Sequence, residues 1–271
     1  MRLVNSNHEN KVALVTGATG AIGRAIALQI AKDHSYSVVL VCRDEDKAVR
    51  TVNDIRLETG NDRVDFELVD LSREKLIKEL ANRWNGPLHV LINNAAVTPR
   101  KRLETPDGIE LQFATNVLAY LWMVKYFNDI LVESAPSRVV NVASYWAGDL
   151  DITDLEFKRR PYNNNRAYRQ SKQANRMLTV GLSDRMAQQG VVVNTCHPGD
   201  VNSKLSNDLG FGGHETPEEG ALTPVWLAIE AVGGEVTGKY FEHKRKVRCR
   251  FGEDRTAVEE LYQACLGYSV R

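Results

Sequence analysis

Short β-branched apolar runs alternate along the chain with longer stretches whose apolar residues recur at helical spacing. Val12–Thr16, Ser37–Cys42, Val64–Asp70, Leu88–Asn93, Arg138–Ala143, Val191–His197 and Lys239–His243 read as strands, with amphipathic segments between them. In Val38-Val39-Leu40-Val41 and Val191-Val192-Val193 successive positions are apolar, as expected where helices cover both faces of a parallel sheet. The pattern predicts an α/β fold: a doubly wound parallel sheet, Rossmann-like, of seven strands flanked by helices. Thr216-Pro217-Glu218-Glu219 offers a capping threonine, a first-turn proline and a glutamate at the third helical position, a helix start. Thr105-Pro106-Asp107 repeats much of that signal and predicts another. The intervals 94–102, 145–165 and 198–215 lack a clear period and follow predicted strands, which puts them at the carboxyl edge where such sheets bind ligands. They are the candidate substrate loops. Gly210, Gly212 and Gly213 around Phe211 make residues 198–216 a candidate lid.

With 271 residues and no linker-like stretch, one domain over 1–271 is expected, with a polar tail over 1–10 and a C-terminal extension over 244–271. Thirty-five basic residues balance thirty-five acidic ones, so no overall field draws the chain to nucleic acid or an anionic membrane, and a small molecule is the expected partner. Met1 to Asn10 lack the apolar centre of a secretory signal, and no run approaches the roughly 18 apolar residues of a membrane span. A soluble, cytoplasmic protein is expected. Cys42, Cys196, Cys249 and Cys265 are far apart and lack companion histidines at metal-ligand spacing, which suits reduced thiols and no metal site. In the basic run Lys244 to Arg250, alternation with Val247, Cys249 and Phe251 reads as an edge segment with a solvated charged face, ahead of a site for an anion, lipid head group or nucleic acid.

Two patterns carry chemistry. Tyr168 and Lys172 stand four apart in a helical stretch, so phenol and ammonium project from one face a turn apart. A cation so placed favours the phenolate and is expected to draw the phenol down from its usual pKa near ~10 towards the range of a catalytic proton donor. The second is Thr16-Gly17-Ala18-Thr19-Gly20-Ala21-Ile22-Gly23 between a strand and the helical Arg24–Lys32, where glycines allow a tight turn and the helix amino terminus offers N–H groups to a pyrophosphate. Strand two ends in Val41-Cys42-Arg43-Asp44. Arg43 suits the 2′-phosphate of NADP, which is therefore preferred, while Asp44 keeps NAD open; both charges could also simply cap the next helix.

Taken together the residues resemble the short-chain dehydrogenase/reductase family over nearly the whole chain: the glycine turn, Asp70-Leu71, Asn93-Asn94-Ala95-Ala96, Asn116, Ser144, Tyr168-x-x-x-Lys172 and Pro198-Gly199. Cys42-Arg43-Asp44, the interval Asp154 to Asn163, Gln170 to Asn175, His197-Pro198-Gly199 and Gly238-Lys239-Tyr240-Phe241 are similar to the retinol dehydrogenase and WW-domain oxidoreductase branch. The resemblance implies a catalytic set of Asn116, Ser144, Tyr168 and Lys172. Tyr168 would exchange the proton, Ser144 would hold the substrate oxygen, Lys172 would also hold the nicotinamide ribose, and Asn116 would hold a water leading to it. It implies a cofactor site over Gly17, Thr19, Gly20, Ala21, Ile22, Gly23, Arg43, Asp70, Leu71, Asn93, Ala95, Tyr168, Lys172, Pro198, Gly199, Val201 and Ser203. Asp70 would meet the adenine amino group, Asn93 and Ala95 would line the cofactor with backbone, and Ser203 would meet its amide or phosphates. Ala21 and Ala96 stand where the family usually has glycine, and the spacing of Gly17, Gly20 and Gly23 resembles the extended, epimerase-bearing branch.

The expected activity is NADP(H)-dependent interconversion of an apolar aldehyde or ketone and its alcohol. Val97, Tyr145, Trp146, Leu205, Leu209 and Phe211 are the candidate substrate wall. Membrane-bound members of the resembled branch have an apolar amino-terminal anchor that Met1 to Asn10 do not supply, so a soluble carbonyl reductase is expected. A non-catalytic NADPH-binding regulator and an epimerase or dehydratase are the alternatives. Homodimers or homotetramers are usual among the proteins resembled.

Overall fold

In the computed structural model, which describes residues 10–269, the apolar runs form one eight-stranded sheet. Of the expected polar tail, only Asn10 lies among the described residues. The strands are β1 (Lys11–Thr16), β2 (Tyr36–Cys42), β3 (Val64–Leu68), β4 (Val90–Asn93), β5 (Ser137–Val142), β6 (Val191–Cys196), β7 (Tyr240–Glu242) and β8 (Arg245–Val247). Their order is β3-β2-β1-β4-β5-β6-β7-β8, parallel except for the final β7–β8 pair. The seven expected strands are present, and the eighth is part of the basic run, exposed at all three positions on the sheet edge. The chain reverses its direction of travel across the sheet between β1 and β4, which opens a crevice beyond their carboxyl ends.

Strand period explains the two cores. Val12, Leu14, Val39 and Val41 pack into one apolar cluster, while Ala13, Val15, Val38 and Leu40 pack into the other across the sheet. Helices α1 (Ala21–Ala31), α2 (Glu45–Thr59) and α8 (Pro217–Ile229) cover the second face. The first is covered by α3 (Glu74–Arg83), α5 (Ala119–Glu133), α6 (Asn164–Met186) and α9 (Arg255–Leu266). The short α4 (Leu111–Phe113) leads through a π-helical turn, Ala114–Leu118, into α5, and α7 (Lys204–Asp208) lies in the loop after β6. The C-terminal extension is part of the body: Val258, Leu261 and Cys265 of α9 are buried against the first core.

Thr216 and Glu219 form the expected capping box at the start of α8. The helix start expected at Thr105 is not one. There, Thr105 N donates to Ile109 O at 2.8 Å and Gly108 adopts φ +78°, so Pro106 to Gly108 form a tight turn between bridged Glu104 and Glu110. Glu110 caps the following helix instead, accepting from the backbone N–H of Gln112 and Phe113.

Candidate active site

Helix α6 presents Tyr168, Lys172 and Arg176 from one face at successive turns, and their exposure is only 7%, 2% and 6%. The Tyr168 phenol and the Ser144 side chain, two residues beyond β5, line the same cavity, and Ser144 favours the phenolate through its side chain. Ser144 Oγ accepts from the Trp146 N–H at 3.1 Å, which leaves the serine proton to donate towards the phenol or towards a substrate oxygen beside it. Arg176 holds the same residue from below, donating to the Ser144 carbonyl and to the Tyr240 hydroxyl. Lys172 Nζ donates to the Val142 carbonyl at 2.8 Å and lies 5.6 Å from the Tyr168 ring centroid.

The electrostatics differ from the expectation. Burial pushes the Tyr168 phenol up to about 12; the Ser144 side chain opposes this and neighbouring Tyr145 adds to it. The same burial pulls Lys172 down to about 7. Its direct partner is a neutral carbonyl, and the opposing effect of Cys196 is smaller than the loss of water around the ammonium. Sequence spacing put the cation beside the phenol correctly, but desolvation outweighs its field.

Asn116 sits in the π-helical turn and is fully buried. Its amide grips one residue twice: Oδ1 accepts from Val97 N at 2.9 Å and Nδ2 donates to Val97 O at 3.0 Å. The side chain expected to hold a water is thus committed to fixing the loop after β4. Val97, expected in the substrate wall, is held there and does not line the cavity beside Tyr168.

That cavity measures about 360 Å³. Ser144, Tyr145, Trp146, Tyr168, Leu205, Leu209 and Phe211 line it, together with Ile22 of the glycine turn and Pro198, Gly199, Val201 and Ser203 after β6. The Trp146 and Phe211 rings meet edge to face at 5.2 Å, which closes one loop against another. His197 lines it too, its ring against Tyr145 at 4.6 Å. Burial holds His197 down to about 3, with His243 and Arg176 adding to the effect, so it is neutral at ordinary pH and a poor base.

Glu215, which the sequence did not single out, anchors the loop. Its carboxylate accepts from the Asp200 N–H and fills the space where a Cβ on Gly199 would lie, and Gly199 has φ +124°. Asp200 O accepts from the N–H of His214 and Glu215, and Asn202 N donates to Glu215 O at 3.0 Å. The base of the candidate lid is therefore stapled. Ser203 caps α7 in a reciprocal arrangement with Ser206.

The remaining candidates lie along the same sheet edge towards β3, outside this cavity. At Gly17, φ is +65° and a Cβ would approach Ala95 Cα to 2.7 Å, so the turn after β1 lies flush against the β4 loop. Thr16 staples the two: its Oγ1 accepts from Asn94 N at 2.8 Å and Ala95 N at 3.1 Å. Gly23 packs on the Gly17 carbonyl and Asn94, whereas at Gly20 a Cβ would meet only Gly17 O, at 3.3 Å. Thr19 is partly exposed and Ala21, the first residue of α1, is exposed. Gly20 gives α1 no side-chain cap, which leaves its first N–H groups for an anion.

Asp44 is the cap of α2, accepting from Lys47 N at 3.0 Å and pairing with Lys47 Nζ at 3.3 Å. Arg43 is exposed and has no hydrogen bond or ion pair among the described residues. Asp70 accepts from Ser72 N and Oγ at 3.1 and 2.8 Å through Oδ1 alone, and Leu71 is buried beside it. Asn93 turns its side chain into the core, donating to Asn141 Oδ1 at 2.9 Å. The fit to a dinucleotide is good: a turn built on Gly17 and Gly20, an uncapped helix start and, among the described residues, an unpaired guanidinium follow one another along the edge.

Among the described residues no helix is long and apolar enough to cross a membrane. Residues 11–210 match the short chain dehydrogenase family. The chain is 34% identical over 273 aligned positions to retinol dehydrogenase 13 of Homo sapiens, covering 93% of this chain and 82% of that protein. It is 34% identical to retinol dehydrogenase 11 of Mus musculus over 85% of this chain and 77% of that one. Among solved structures, an uncharacterized protein of Mycobacterium paratuberculosis superposes with a TM-score of 0.79 at 23% identity, over 95% of this chain and 92% of that one, which speaks to the fold. The chain belongs to the short-chain dehydrogenase/reductase family, in its retinol dehydrogenase-like branch, and is an oxidoreductase acting on CH–OH or carbonyl groups.

Proposed function

We propose that this oxidoreductase uses NADP(H) to interconvert an apolar aldehyde or ketone and its alcohol, with Tyr168 as the proton donor and acceptor. One observation carries the reading: Tyr168 and Ser144 together line a cavity walled by Trp146, Leu205, Leu209 and Phe211, on the sheet edge that also bears the glycine turn. The relatives are retinol dehydrogenases, named for an apolar alcohol.

The bound nicotinamide supplies or accepts the hydride. Gly17 to Gly23 and the start of α1 would hold the pyrophosphate, and Asp70 Oδ2 would face the adenine. Arg43 would pair the 2′-phosphate, since Asp44 is spent on capping α2. In reduction, Ser144 donates to the substrate oxygen as it gains charge, and Tyr168 delivers its proton there. A phenol near 12 remains protonated at neutral pH, which suits a donor. Lys172, near 7, exchanges protons in the working range and is placed to restore the phenol's proton after transfer. Trp146 and Phe211 exclude water from the apolar part of the reactant.

Turnover of a panel of aldehydes and ketones of graded chain length, with NADPH and with NADH, tests the reading. Consumption of NADPH by long apolar carbonyls ahead of short polar ones is expected. Equal rates with NADH would remove the cofactor assignment, and a preference for charged or short substrates would remove the apolar one.

A further inference from the structure

A second cavity, of about 370 Å³, shares Tyr145 with the reaction cavity and is otherwise lined by Ala147, Arg176, Arg248, Arg250 and Phe251. Three of these six lining residues are arginines, and among the described residues no acidic side chain lines it. Arg176 is 6% exposed, yet its hydrogen bonds go to neutral groups, the Ser144 carbonyl and the Tyr240 hydroxyl. The Tyr240 ring packs 3.6 Å from its Cζ, and its Nε is buried with no partner. No carboxylate lies within ion-pair distance of Arg176 among the described residues. The nearest counter-charge, Glu242, is reached only through the Tyr240 hydroxyl, which donates to its Oε1 at 2.5 Å; a buried guanidinium without a direct ionic partner is costly, and an anion in the cavity would supply that partner. Arg250 is exposed and likewise has no ion pair there; its Cζ lies 5.3 Å from the Phe251 ring centroid. Arg248 alone is neutralised, by Glu253 through Nε at 2.6 Å and Nη2 at 2.8 Å.

We infer that this cavity binds an oxyanion, a phosphate monoester or carboxylate carried by a ligand. Planar guanidinium groups from α6 and from the segment after β8 converge on it, the arrangement that recognises such groups bidentately. The site is separate from the proposed cofactor phosphate contact. Arg43 follows β2, and Arg248 and Arg250 follow β8, near opposite edges of the sheet. A concave pocket of this size selects a compact group, whereas the flat outer face of β8, with Arg245 and Lys246 exposed, does not.

The test is calorimetric titration of the whole protein with inorganic phosphate, in the presence of saturating NADP+ and, separately, in Arg43→Ala without it. Saturable binding is expected in both, so a failure of the cofactor reading leaves the result legible. Arg250→Glu and Arg248→Glu, both on exposed side chains, should weaken it at least about tenfold, with thermal melting unchanged to show that the fold is intact. Sedimentation with phosphatidylcholine vesicles, with and without phosphatidic acid, separates the sources. Capture by phosphatidic acid that is lost in Arg250→Glu assigns the oxyanion to a lipid head group, and phosphate binding without capture assigns it to a soluble ligand. Absence of both, or binding indifferent to Arg248→Glu and Arg250→Glu, overturns the site.

Discussion

At the β5–β6 end of the ligand edge, Ser144, Tyr168, Lys172 and Arg176 are buried, and Ser144, Lys172 and Arg176 have hydrogen bonds to fixed partners. At the β1–β3 end, Arg43 is exposed and, among the described residues, unpaired, and Asp70 accepts its hydrogen bonds through one carboxylate oxygen. The first end is set by burial, so its proton affinities depend on what surrounds it. The second is set by side chains that reach outward from the ends of strands, where one can be exchanged without repacking. Chemistry and cofactor choice therefore rest on different physics in one crevice, and they should fail differently.

The sharpest break is Tyr168→Phe, which removes the proton donor but keeps the ring. Turnover should fall by about 10²–10⁴-fold while NADPH affinity, read by quenching or calorimetry, stays near that of the parent. Retained turnover would take the chemistry away from the buried end. At the exposed end, Arg43→Asp should move the NADP/NAD preference roughly ten- to a hundredfold towards NAD at unchanged stability, and an unmoved ratio of kcat/KM values would place the phosphate elsewhere. Gly17→Ala probes the seam between them. With φ +65° and Ala95 Cα at 2.7 Å, the added methyl should cost about 1–3 kcal/mol in denaturant unfolding and weaken both cofactors alike.

The smallest effect is confined to acid. His197 is held near 3 when folded and has an ordinary value of 6.5, so below 6.5 the unfolded chain binds the extra proton and stability falls as pH drops towards 3. His197→Gln should remove about one proton from that dependence and change little at neutral pH. An unaltered acid slope would mean that the ring is solvated.

Strand period, the Thr216 capping box and the four-residue spacing of Tyr168 and Lys172 were legible because each is local: it depends on residues a turn or a strand apart. Arg176 had a readable signal too, one further turn along the same helix face, but nothing in the sequence says that the face is buried at that point. Glu215 under Gly199 and the Asn116 clamp on Val97 had none, since they join segments brought together only by the loops. Thr105 misled because a capping signal and a tight turn share residues, and the bridge between Glu104 and Glu110 decides for the turn.

By itself the sequence determined the order of strands and helices, the sheet edge that carries the candidate site and many of the groups that meet there, because periodicity and motif spacing are properties of the chain. Only the tertiary structure decided the sign of the Tyr168 shift, the commitment of Asp44 and Asn116, and the lack of a direct ion pair to Arg176 among the described residues. Desolvation and hydrogen-bond partnership are properties of what packs around a group, and distant segments supply most of it.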